Sequence, residues 1–274
     1  MTTSQLIRNA IIGTGILFGI DVALDYFLDS SLWEGMVVSK SALTIEYCEF
    51  NHPDRFFHQP INTYSNLIYF FYGLVVFQLA LKDIKGLAPK KANTVGNFPY
   101  LSLLLAANFI YLSIGSAFFH SSLTWIGQRV DMNATYGLTL SLICIGLVVT
   151  IVKKELSART QLAIVAIMLL LTVLFLPLAL QISSAILLPS LFLLLVVLGT
   201  LNYLCYRRQR FPLLGILGVV LLVVAIQIRA MDVAKVNCDP YSIWQGHALW
   251  HLLTATSSLC LYFYFRIVKS EELK

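Results

Sequence analysis

His247 and His251 stand four apart in the stretch GHALWHLL, so a helix would carry both imidazoles on one face, within reach of a single metal ion. His120, in GSAFFH, could bring a third imidazole from another helix. Three neutral histidines with one position left for water make a catalytic zinc arrangement, and imidazole without a competing thiolate suits zinc. Ser116 lies four residues before His120 and shares its face. Its Oγ could donate to an oxyanion at the open position, or simply bond the carbonyl four residues back in its own helix. Asp131, in GQRVD, fits three roles: acceptor of the water's proton, N-terminal helix cap, or direct ligand.

The elements that must hold these groups are membrane helices. Of 274 residues, 58% are hydrophobic and 12% charged, where a soluble domain carries about a quarter charged. Apolar runs of about twenty residues fit bilayer-spanning helices, and the lack of strand alternation excludes a membrane barrel. Eight runs can be read: about Leu6–Leu28, Asn62–Leu81, Phe98–Phe119, Met132–Val152, Gln161–Ala179, Ser184–Tyr206, Pro212–Met231 and Trp244–Ile267. The expected fold is all-α, a polytopic transmembrane helical bundle. Seven core spans lie within residues 30–274, preceded by one extra N-terminal helix within residues 1–29. Asp21 and Asp25, and the lack of an A-x-A site, argue against a removed signal peptide. Cys144, Cys205 and Cys260 fall within apolar runs, where cysteine behaves as a small buried hydrophobe.

Basic residues crowd one side of this topology: Lys82, Lys85, Lys90 and Lys91, then Lys153, Lys154 and Arg159, then Arg207, Arg208 and Arg210, then Arg266, Lys269 and Lys274. The other side has only Lys40, Arg55, Arg129 and Lys235, with Arg229 near a span end. The positive-inside rule therefore puts the C-terminus in the cytoplasm, and the net charge of +5 serves orientation rather than nucleic-acid binding. On that topology His120, Asp131, Asp232, His247 and His251 share one outer layer with the segment Ser30 to Pro60. A single histidine at that depth reads most simply as an interfacial group bonded to water or backbone. Three together point to a shared ligand. His52 and His58 read as surface residues of the outer loop, and Arg229 and Asp232, three apart, fit an ion pair.

The S-x3-H of GSAFFH, Gln128 and Asp131 in GQRVD, and the H-x3-H of HALWH resemble the alkaline ceramidases. Those belong to a wider superfamily of seven-span hydrolases that includes adiponectin-type receptors and lipid-remodelling proteins of the GPI pathway. EYCEFN followed by NTYSNLIY is the more specific part of the resemblance. MDV…NCD, around Asp232 and Cys238, is similar to the matching stretch at the end of the sixth core span. The resemblance implies zinc on His120, His247 and His251, Asp131 as base and Ser116 at the oxyanion. It also implies a nearby calcium held by the side chains of Glu46, Glu49 and Asn51 and by the Tyr47 carbonyl, all oxygen donors. Where the family has a further glutamate this chain has Gln59, which keeps a carbonyl oxygen and loses a charge. A disulfide between Cys48 and Cys238 is implied as well, and both cysteines lie on the oxidising outer side. The activity implied is hydrolysis of a ceramide-like N-acyl lipid to a fatty acid and a sphingoid-type amine. Its cofactors would be zinc and calcium, its partner a membrane lipid, with no protein partner. The rivals are a lipid receptor or sensor on the same zinc-containing scaffold, and a hydrolase of another lipid amide or ester. EYCEFN favours the ceramidase.

Overall fold

The computed structural model describes residues 2–87, 94–181 and 184–269; Lys90, Lys91 and Lys274 lie outside them. No strand occurs among the described residues, and the eight expected apolar segments are eight long helices. The first, α1 (Thr3–Phe27), precedes two short helices, α2 (Lys40–Leu43) and α3 (Pro60–Ser65). Then come α4 (Leu67–Ile84), α5 (Pro99–Ser122), α6 (Trp125–Ile151), α7 (Ala158–Gln181), α8 (Ser184–Tyr206), α9 (Pro212–Val233) and α10 (Gly246–Arg266). Seven spans are long and apolar enough to cross a membrane, α3 and α4 counting together as Pro60–Ile84. The chain is a multi-pass membrane protein. The long helix left out of those seven is α10, because its sequence spends positions on His247, His251, Thr254, Thr256, Ser257 and Ser258.

Local chemistry sets where the helices begin. Thr2 and Gln5 form a reciprocal cap on α1. Thr124 caps α6 by accepting the Gly127 N–H at 3.1 Å, so α6 starts at Trp125, well before the expected Met132. Leu123, at φ 50°, makes the left-handed turn that ends α5 just before it.

The helices α5 and α6 form the buried centre, flanked by α4, α7, α8 and α10, while α9 packs chiefly on α10. Polar groups join the helices across this apolar interior. Asn108 Nδ2 donates to Ser141 Oγ at 2.9 Å, and Ser257 Oγ donates to the Gly218 carbonyl at 2.6 Å. At Gly218 the backbones meet: a Cβ there would stand 2.9 Å from Leu261 Cγ. Cys144 and Cys260 are buried as expected, but Cys205 is exposed. The extra helix α1 leans on α4, with Asn9 donating to Gln78 at 3.1 Å and Asp25 paired with Arg55. At one end of the bundle α5 ends, α6 and α10 begin, and the segment Ser30 to Pro60, expected on the outer side, lies across them. There Ser39 N–H donates to the Leu123 carbonyl at 2.9 Å, and Trp125 N–H to that of Val37 at 2.7 Å.

Candidate metal centre

His120, in the last turn of α5, meets His247 and His251 from the first two turns of α10. Their ligand-capable atoms all lie within 4.8 Å of one another, and the three residues are at most 4% exposed. Two of the rings are oriented from behind. His120 Nδ1 stands 2.7 Å from Gln59 Oε1, while the amide nitrogen of Gln59 donates to Asn51 Oδ1 at 2.7 Å. The Gln59 oxygen therefore faces the ring, and Nδ1 carries the proton. His251 Nδ1 stands 2.7 Å from Ser65 Oγ, whose own proton goes to the Asn62 carbonyl at 2.8 Å. His251 Nδ1 must also be the donor. Each ring then presents an Nε2 lone pair to the centre, the usual arrangement behind a metal-bound histidine. His120 Nε2 and His247 Nδ1 are buried without a hydrogen-bond partner. Unpaired buried nitrogens cost free energy, and a cation shared by three neutral imidazoles removes that cost. The donor set fits zinc.

A cavity of about 290 Å³ is lined by His247 and His251 of the three histidines. Ser116 and Asp131 line its polar end, and Leu112, Phe192, Ile226 and Trp250 its apolar wall. The Ser116 hydroxyl faces the Asp131 carboxyl. Asp131 is not the cap of α6, because Thr124 holds that place and Asp131 sits two turns further in. Arg229, at the cavity's rim, pairs with Glu46 at 2.9 Å and lies over the Trp250 ring. That replaces the expected Arg229–Asp232 ion pair. Asp232 instead accepts the Cys48 N–H (3.1 Å) on one oxygen and the His247 N–H (3.2 Å) on the other, so its lone pairs face amides.

The segment between α1 and α3 is tied directly over the centre. Cys48 and Cys238 form a disulfide (S–S 2.06 Å), and the Tyr47 ring packs on His247 with centroids 3.9 Å apart. The expected calcium donors are spent on protein groups. Lys235 Nζ donates to the Tyr47 carbonyl and, at 3.2 Å, to that of Glu46. The Glu46 carboxylate holds Arg229, and Glu49 accepts the Ile61 and Asn62 N–H groups at 2.6 and 2.8 Å. Burial pushes Glu49 up to about 7 in spite of those two N–H groups. Asn51 accepts from Gln59, and Gln59 turns its oxygen to His120. These residues do not fit a calcium ion.

Gln59 and Ser65 as ring-orienting residues, Asp232 as an amide acceptor and Lys235 were not found from sequence. Three of them carried a signal, for another role or for none: Ser65 by its place inside NTYSN, Gln59 as a calcium donor and Asp232 by its place in MDV…NCD. Neither His52 nor His58 joins the cluster, and both are half-buried rather than fully exposed surface residues. A family model described as Ceramidase matches residues 39–274, which takes in every residue of the centre and leaves α1 outside. No curated protein matches the chain.

Proposed function

The chain belongs to the ceramidase family, and from that premise we propose that it uses zinc at His120, His247 and His251 to hydrolyse the amide bond of a ceramide-like N-acyl lipid. The products are a fatty acid and a sphingoid-type amine. One observation carries the reading: a buried, unpartnered His120 Nε2 clusters with His247 and His251, and these two share a cavity with the Asp131 carboxyl and the Ser116 hydroxyl. Zinc held there would polarise the amide carbonyl and lower the pKa of water to about 7. Asp131 takes the proton of the attacking water on a carboxylate oxygen and delivers it to the nitrogen of the leaving amine. Ser116 Oγ–H donates to the carbonyl oxygen as negative charge grows on it. Gln59 and Ser65 hold His120 and His251 in the tautomer that presents Nε2. The apolar wall of Leu112, Phe192 and Ile226 takes the acyl chain.

In this reading residues 30–274 are the hydrolase unit and α1 is an additional span. The C-terminus is cytoplasmic and the centre lies on the opposite side, so the substrate arrives from the outer leaflet. The uneven placement of lysine and arginine supports that orientation. Purified protein incubated with N-acyl sphingosines, other N-acyl lipids and ester lipids should release fatty acid from the first. Release from esters alone would make it a different lipid hydrolase. No release from any lipid, with zinc bound, would make it a binding protein.

A further inference from the structure

The oxygens that relatives would offer to calcium meet ammonium, guanidinium and amide protons of this chain itself. We propose that Lys235 is a built-in cation that clamps the outer segment over the metal centre, and that this protein holds that segment without calcium. The loop after α9 is shaped for the purpose. Lys235 (φ 57°) and Asn237 (φ 53°) both take the left-handed conformation, which non-glycine residues adopt at a cost. That path turns the Lys235 ammonium onto two successive carbonyls, those of Glu46 and Tyr47, and brings Cys238 to Cys48. Two adjacent carbonyls are the hard oxygen donors a calcium ion would use.

The charges agree. Of the five expected donors only Glu46 and Glu49 carry a carboxylate, and Glu46 is matched by Arg229 at 2.9 Å. A divalent ion entering here would displace one cation and sit beside another. Gln59 completes the substitution, because its amide gives a proton to Asn51 and receives one from His120. A glutamate at that position could not do the first. The clamp therefore runs from Lys235 through the outer segment to a ligand of the metal centre.

The test melts the zinc-loaded full chain in calcium-free buffer and again with about 5 mM calcium chloride, above the 10⁻⁴–10⁻³ M range of weak extracellular calcium modules. The wild type should melt at the same temperature in both. Lys235→Met keeps the stem and removes the ammonium, and should melt roughly 2–4 °C lower. Lys40→Met, on the same side of the topology, should melt with the wild type. A wild type stabilised by calcium, or one calcium per chain retained after calcium-free dialysis, overturns the proposal. So does Lys235→Met melting as the wild type does. Should that variant fail to fold, the wild-type comparison still decides. No turnover is read, so the result stands apart from the hydrolase assignment.

Discussion

Asparagine has the shape of aspartate without its basicity, so Asp131→Asn separates proton transfer from every other role Asp131 could have. Zinc content and melting temperature should hold, while turnover of a short-chain N-acyl sphingosine should fall roughly 10²–10⁴-fold. Zinc lost along with the carboxylate would make Asp131 a ligand instead. Ser116→Ala removes one oxyanion donor and should raise the barrier by about 3–4 kcal/mol at most. By metal analysis, His120→Ala, His247→Ala and His251→Ala should each shed most of the zinc, and His52→Ala should keep it. Behind the ligands, Gln59→Leu and Ser65→Ala should each weaken zinc binding roughly 10–100-fold in competition with a chelating dye. Of the three histidines, His247 and His251 could be paired from sequence because four-residue spacing is a local property of a helix, while His120 joined them through the topology and the resemblance. Their supports could not, since Gln59 reaches His120 across 61 positions and Arg229 reaches Glu46 across 183. The misread Arg229–Asp232 pair has the same origin. Spacing allows that contact, but remote segments had already claimed both partners.

At the scale of elements, α10 begins without a side-chain cap of its own, and Asp232 fills that role from the end of α9. The approach leaves no room at Gly246, where a Cβ would stand 2.9 Å from Asp232 Cβ. Asp232→Ala should lower stability by about 0.5–2 kcal/mol, as a lost cap does. Zinc affinity should fall with it, because the amide released belongs to His247. Asp232→Asn keeps an acceptor oxygen and should retain more of both. Calorimetric melting and zinc titration on the two variants check this, and zinc affinity unchanged in Asp232→Ala would detach the cap from the centre. Apolar runs located every long helix, since burial in lipid demands them. The same signal misplaced the start of α6, whose first turns carry Gln128 and Arg129, and it is weakest in α10, where function replaces apolar residues with polar ones.

For the whole molecule, one end of the bundle gathers the polar groups and the other the basic loops, and the proposed orientation follows from that asymmetry. Cys48→Ser should free the Cys238 thiol for an impermeant reagent applied outside intact cells. Labelling that needs permeabilised cells would invert the topology. The disulfide partners were legible from the resemblance, whereas the path of the loop that joins them was not, because Lys235 and Asn237 give no sequence sign of their left-handed turns. The distribution of the centre along the chain also governs its birth. One histidine of the cluster comes from α5 and two from α10, and the disulfide joins Cys48 to Cys238 across 190 positions. Until the ribosome has delivered α10, His120 is a solitary imidazole and Gln59 steadies a ring with no companions. On the proposed reading, metal capture awaits the docking of α10 against α9, and a chain stalled before that point holds neither metal nor activity in the membrane.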